Sequence, residues 1–279
     1  MPELLEIEHY RQSALLVVGR RIATVATPDS WYLKHGATPE MVADLVTGRW
    51  VIAARRRGKL LLLDLDDEEP QPDRPPPADG VAVVLGLRFG MTGRLLVDGE
   101  AAIEALQYSS AKHKPEWDRF TLGFVGGGWL TISDPRRLGG VELDPDEASL
   151  GPDAATIDRP TLAALLGVSD APVKARLMDQ SRLAGLGNLM TDDALWRAGI
   201  DPARPARSLT TREIGRVHRA ILDTVQELGE RGGSHTGDLQ AVRVRGGRCP
   251  RCGRPLLRRT IGGRTTFSCP WHQRAHPST

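Results

Sequence analysis

Acidic residues are missing from one end of this chain, and cysteines from all the rest of it. None of the 41 residues from Leu239 to Thr279 is Asp or Glu, yet nine of them are arginine. The whole chain carries only +2, so residues 1–238 sum to −7, which is +2 less the tail's +9. A near-neutral protein with one concentrated basic end binds polyanions locally, a property its total charge conceals. All three cysteines lie in the same tail, an odd count that argues against a disulfide framework. No apolar run approaches the length of a membrane span. The opening Met1-Pro-Glu-Leu-Leu-Glu is acidic and lacks the apolar core of a secretory signal. The expected setting is therefore a reducing cytoplasm, with no membrane partner.

What the tail does contain is two ligand pairs. Cys249-Pro-Arg-Cys252 and Cys269-Pro-Trp-His272 are separated by a spacer of 16 residues. Each tight turn brings two ligands to one ion, and the spacer is long enough for a hairpin between the turns. Three thiolates and one imidazole suit a single structural Zn2+, and four protein ligands leave no open position for chemistry. The alternative is one disulfide with a spare thiol and a surface histidine. A zinc hairpin coated with arginine points to nucleic acid.

The remainder has an ordinary composition, 40% hydrophobic and 26% charged, and 279 residues suffice for two modest domains. Residues 1–145 read as an opening amphipathic helix over Glu3–Val18 followed by short strands. These are Arg21–Thr27, Trp50–Arg57, Lys59–Asp66, Val81–Phe89, Arg94–Val97, Arg119–Phe124 and Trp129–Ser133, separated by turn signals such as Arg57-Gly58 and Asp98-Gly99. Such spacing predicts a β-sandwich. Asp66–Gly80, with five prolines and six acidic residues, reads as an exposed loop. A polar linker is expected over 146–160, a helical domain over 161–238 and the zinc hairpin over 239–279. Helices are expected at Thr161–Leu166, Ala171–Asp179, Leu189–Ala198 and Thr211–Glu230, with Thr210 capping the last. The loop Ala184-Gly-Leu-Gly-Asn188 opens directly onto a helix, where free N–H groups can hold a phosphate.

Five motifs in order then resemble the Fpg/Nei family of DNA glycosylases along almost the whole chain. They are the start Met1-Pro-Glu-Leu-Leu-Glu-Ile-Glu8, Gly90-Met-Thr-Gly-Arg94, Asp134-Pro-Arg-Arg-Leu-Gly139, Leu186-Gly-Asn-Leu189 ahead of Asp193-Ala-Leu-Trp196, and Gly263-Arg-Thr-Thr-Phe-Ser-Cys269. The resemblance implies an α+β multidomain fold. A β-sandwich with an opening helix precedes a helix–two-turn–helix domain that carries the zinc hairpin. It implies a bifunctional glycosylase and AP lyase that acts as a monomer on damaged double-stranded DNA, removes oxidised bases and sits on the nucleoid.

The chemistry of the start is consistent with this. With Met1 removed, Pro2 presents a secondary amine, and an α-amino group with pKa near 8 is partly neutral at physiological pH. Attack on C1′ displaces the base and leaves an iminium, which acidifies the C2′ hydrogen for strand elimination. By resemblance Glu3 moves the protons. Lys59 contacts the phosphate and sugar of the lesion, Asn188 and Arg264 clamp the phosphate beside the flipped nucleotide, and Lys174 contacts another phosphate. Met91, Arg136 and Leu138 fill the gap left by the flipped base.

Several positions depart from the family pattern. Leu5 stands for a proline, Met190 for a tyrosine, Asp193 for a glutamate, Leu138 for an aromatic wedge and His272 for the fourth cysteine. The stretch from Gly232-Gly-Ser234 to Cys249 is short for a loop that caps a flipped 8-oxoguanine, which leans towards a Nei-like pocket, whereas Met91 sits in an Fpg-like motif. Two alternatives stay open at this level: a relative acting on alkylated, bulky or cross-linked lesions, and a non-catalytic binder of damaged DNA.

Overall fold

A computed structural model describes residues 2–70, 81–103 and 113–274. The chain forms two compact units. Pro2 and Glu6–Glu147 make the first, while Glu3–Leu5 and Ala148 onwards make the second.

The first unit opens with α1 (Leu4–Ala14) and a 3-10 turn over Leu15–Val17. The expected helix to Val18 is therefore one turn too long. The β-branched pair Val17-Val18 runs into Gly19, whose φ of +83° no helix accommodates. Next come β1 (Ile22–Ala26), α2 (Pro39–Val46), β2 (Trp50–Arg57), β3 (Leu60–Asp66) and β4 (Val83–Arg88). The unit finishes with β5 (Arg94–Val97), β6 (Glu100–Ala101), β7 (Asp118–Phe124), β8 (Trp129–Ser133) and β9 (Gly140–Leu143). Every strand read from the sequence is present, with ends shifted by two residues at most. The short strands β6 and β9 and the helix α2 escaped that reading. A signal for α2 was available: the Thr38 hydroxyl accepts from Met41 N at 3.2 Å, and Pro39 occupies the first turn.

The strands pair antiparallel in two sheets, ordered β1-β7-β8-β5-β6 and β2-β3-β4-β9. Leu61, Leu63, Leu65, Leu85 and Leu87 from one sheet pack with Leu95, Val97, Phe120, Leu122, Leu130 and Ile132 from the other. Alternation along the strands places these residues on the inner faces, which is the sandwich core. Residues 71–80 of the expected acidic loop lie outside the described residues.

The second unit is helical: α3 (Arg159–Gly167), α4 (Val173–Met178), α5 (Asn188–Ala198) and the long α6 (Thr211–Glu230). Thr210 and Glu213 form a reciprocal capping box that starts α6. The unit closes with β10 (Leu257–Ile261) and β11 (Arg264–Ser268), paired antiparallel. Gly262 and Gly263 make the two-residue turn with φ of +55° and +72°, a conformation that glycine supplies without strain. A Cβ at Gly262 would lie 2.9 Å from the Ala175 methyl, so the hairpin tip rests against α4. Leu4 and Leu5 join Leu186, Met190 and Ala194 in this unit's own core.

Candidate nucleic-acid interface and metal centre

Four ligand atoms from Cys249, Cys252, Cys269 and His272 lie within 4.8 Å of one another at the base of the β10–β11 hairpin. The three cysteines are unbridged. Cys252 Sγ and Cys269 Sγ stand 3.7 Å apart, close to the separation of about 3.8 Å for two thiolates bound to one ion at 2.3 Å in a tetrahedron. His272 Nε2 is buried with no hydrogen-bond partner among the described residues, as a ring nitrogen reserved for a metal must be. A further contact suits thiolate chemistry: the Trp196 indole N–H points at Cys249 Sγ from 3.4 Å. Gln273 braces the centre, accepting from Cys269 N at 2.8 Å and donating to the Ile200 carbonyl at 2.9 Å. The donor set fits a four-coordinate metal ion.

The start of α5 holds an anion, but not the one read from the sequence. Glu3, fully buried, accepts from Gly187 N at 2.8 Å, Leu189 N at 2.8 Å and Met190 N at 3.1 Å. The glycine loop expected to cradle a phosphate is filled by the chain's own carboxylate. Three N–H donors at a helix N-terminus stabilise its negative charge. Gly187 makes this approach possible, because a Cβ there would sit 2.2 Å from Glu3 Cδ. Leu4 N donates to the Gly185 carbonyl at 3.1 Å, pinning the segment that follows Pro2. Pro2 itself is buried.

One turn along α5, a buried ionic cluster ties the helix to the hairpin. Asp192 pairs with Lys174 Nζ at 2.7 Å and with Arg243, and it accepts from Phe267 N at 3.1 Å. Lys174 also donates to Thr266 Oγ1 at 2.7 Å. The Thr265 carbonyl receives Asn188 Nδ2 at 3.1 Å and Arg243 Nη2 at 3.3 Å. Burial lowers the Lys174 pKa below the ordinary lysine value, against the opposing pull of Asp192. The structure departs from expectation at Lys174, whose ammonium is wholly enclosed and committed to Asp192 and Thr266, so it offers no charge to a phosphate in solvent. It positions Thr265 and Thr266 instead, and with them Arg264, which is exposed at the hairpin tip next to Asn188's partner residue. Removing Asp192 would take the carboxylate partner from the buried Lys174 ammonium and the partly buried Arg243 guanidinium. Asp192→Ala is expected to cost about 3–5 kcal/mol in chemical denaturation; a loss under 1 kcal/mol would mean that the cluster adds little to the second unit.

In the first unit Lys59 is half-buried at the turn between β2 and β3, after Gly58 with φ of +57°. Met91, Arg136 and Leu138 come from two loops organised by one residue. Buried Asp134 accepts from Thr92 Oγ1 at 2.6 Å, Arg136 N at 3.2 Å, Gly139 N at 2.9 Å and the Tyr32 hydroxyl at 3.3 Å. The loops touch directly, since a Cβ on Gly90 would lie 2.4 Å from the Leu138 carbonyl carbon. Between the two presented residues, Arg137 takes φ of +56°, a strained value for a non-glycine residue. Its guanidinium is held by Asp29 at 2.5 and 2.7 Å. Arg136 and Leu138 are both exposed, Leu138 by 48%, and Met91 is half-buried. Asp134 heads a motif legible in the sequence, but its organising role was not, and Tyr32 and Asp29 went unnoticed because neither carries a spacing signal.

Comparison with known proteins places these features in context. Family models match residues 1–141, described as the formamidopyrimidine-DNA glycosylase N-terminal domain, and residues 150–239, described as the formamidopyrimidine-DNA glycosylase H2TH domain. The formamidopyrimidine-DNA glycosylase of Jannaschia sp. is 33% identical, covering 98% of this chain and 100% of that one. The Geobacillus kaustophilus enzyme of the same name is 32% identical over 98% of this chain and 100% of its own. Among solved structures, wild-type Lactococcus lactis Fpg in complex with a DNA containing an oxidised pyrimidine superposes with a TM-score of 0.79 at 25% identity, covering 98% of this chain and all of that one.

Proposed function

The chain belongs to the formamidopyrimidine-DNA glycosylase family, and from that premise we propose that it excises oxidised bases from double-stranded DNA and then cleaves the strand at the abasic site. The observation that carries the reading is the seating of Glu3. The Glu3 carboxylate next to Pro2 is buried and held by three N–H groups, a provision that a helix-start carboxylate left in water would not need.

In the proposed reaction Met1 is removed, and the Pro2 nitrogen attacks C1′ of the flipped nucleotide while the C1′–base bond breaks, its electron pair leaving with the base, which takes a proton from water. The Glu3 carboxylate, stabilised as an anion, first accepts the proton released from Pro2 and then delivers it to the sugar ring oxygen. The resulting iminium draws electrons from the C2′–H bond. That proton passes to water as the 3′ phosphate departs, and a second elimination, with loss of a further sugar proton to water, expels the 5′ phosphate. Lys59, Asn188 and Arg264 hold the phosphates around the lesion, and Met91, Arg136 and Leu138 occupy the vacated space in the stack. Leu138 supplies an apolar wedge without an aromatic face, so reading of the base opposite rests on the Arg136 guanidinium. Zn2+ is the ion proposed for the Cys3His centre, with a purely structural role, and the protein acts as a monomer.

A duplex panel containing 8-oxoguanine, a ring-opened purine, thymine glycol, dihydrouracil or an abasic site tests this reading. Strand cleavage is expected at the abasic site and at one or more oxidised bases, and the pattern separates purine from pyrimidine preference. Inactivity on all five would leave a non-catalytic binder. Arg264→Ala is expected to weaken binding to lesion-containing and undamaged duplex alike and to flatten the salt dependence by about one unit of slope. An unchanged slope in a salt titration would place Arg264 away from the DNA backbone.

A further inference from the structure

Beside the Arg136–Leu138 loop lies a surface that the reaction above leaves unused. Trp31 belongs to the 3-10 turn Ser30–Tyr32, and 58% of it is exposed. The Lys34 ammonium stands 3.6 Å from the centre of its ring, and the Arg137 guanidinium 5.3 Å. A tryptophan left in water beside two cations contributes little to folding.

That segment is attached to the loop at its start and middle, and at its end to β9, the strand that follows the loop. The Tyr32 hydroxyl reaches Asp134, the residue that organises the loop. Asp29 holds the strained Arg137. Lys34 N donates to the Val141 carbonyl at 2.9 Å, while the Lys34 stem lies where a Cβ on Gly140 would be, 2.4 Å from it. Trp31 therefore moves with Arg136 and Leu138 as one body. Among the described residues Asp29 accepts from Nε and Nη2 of Arg137 and no contact to Nη1 is seen, and Lys34 Nζ spends one hydrogen bond on the Trp31 carbonyl. Two cations with unspent donors around an exposed indole offer stacking and phosphate contact together.

We propose that Trp31, Lys34 and Arg137 form a binding surface for the undamaged strand of the duplex, beside the base opposite the lesion. The proposal rests on the reading that Arg136 and Leu138 enter the DNA. Under that reading the phosphates of the damaged strand are already taken by Lys59, Asn188 and Arg264. Arg136 faces the opposite base, and the cationic surface continuous with it falls to the opposite strand. The patch supplies the aromatic contact that Leu138 cannot.

The test uses the full chain and a duplex bearing a tetrahydrofuran abasic analogue. Binding is measured with an all-phosphate undamaged strand, and again with neutral methylphosphonates flanking the base opposite the lesion. Trp31→Ala is expected to bind the all-phosphate duplex about tenfold more weakly, with Trp31→Phe recovering most of the loss. Methylphosphonate substitution should weaken wild type while costing Trp31→Ala much less. Thermal unfolding controls for folding. Should Trp31→Ala unfold, Lys34→Met keeps the aliphatic stem and carries the test, with an expected loss of about threefold that disappears on the methylphosphonate duplex. Equal penalties from the neutral strand in wild type and variant, or wild-type affinity in Trp31→Ala, would overturn the proposal while lesion selectivity survives. If wild type binds the abasic duplex no more tightly than an undamaged one, the glycosylase reading fails and takes this surface with it.

Discussion

Adding residues ahead of Pro2 so that its nitrogen becomes an ordinary amide is expected to abolish borohydride trapping of a covalent protein–DNA adduct on abasic duplex. Only an amine can form the iminium that borohydride reduces, and an amide nitrogen lacks the lone pair for attack. Duplex affinity should change little by comparison, because Lys59, Asn188 and Arg264 lie elsewhere in the chain. Glu3→Gln provides a companion measurement. The amide keeps a carbonyl oxygen for one or two of the N–H groups of Gly187, Leu189 and Met190 but brings its own N–H groups against the remainder. Trapping should slow by at least about 100-fold, the scale of a lost general acid–base group. Equal trapping by the extended protein would remove Pro2 from the mechanism.

Metal removal should have the next largest effect. One zinc per chain is expected by elemental analysis, and chelation should unfold the β10–β11 hairpin, since closing such a site supplies folding free energy directly. Amide protection is expected to fall first in Leu257–Ser268. DNA affinity should fall with it, because Arg264 begins β11 and the Thr265 carbonyl is the acceptor for Asn188. His272→Ala should weaken metal retention less than Cys269→Ala, which removes a buried thiolate. Purified protein without zinc would defeat the assignment, whatever its activity.

Local signals carried most of the fold. Glycine-marked turns bounded β2, β3, β5 and β8, and the Thr210–Glu213 cap marked the start of α6. The ligand cluster was legible because two-residue spacing reports which side chains one turn can bring together. What stayed hidden was whatever depends on distant pairing. Gly187 and Glu3 are 184 residues apart, and nothing in a glycine loop reveals that its anion comes from the same chain. Lys174 reads as a phosphate contact until Asp192 and Thr266 close around it, a burial that one lysine's position in a sequence does not report. Asp29, Tyr32 and Asp134 act together only through the tertiary fold, so the 29–34 segment looked like a featureless connection.

The carboxylate of Glu3 on α5 also has a meaning for biosynthesis. On the proposed mechanism, a ribosome releases the nucleophile first and the seat of its proton carrier nearly 190 residues later. An unfinished chain holding the whole β-sandwich has Pro2 but no Gly187, Leu189 or Met190 to hold Glu3. Under the proposed function truncated translation products should therefore lack competence to cut DNA, a useful property where the proposed reaction, carried out at the wrong place, would break a strand.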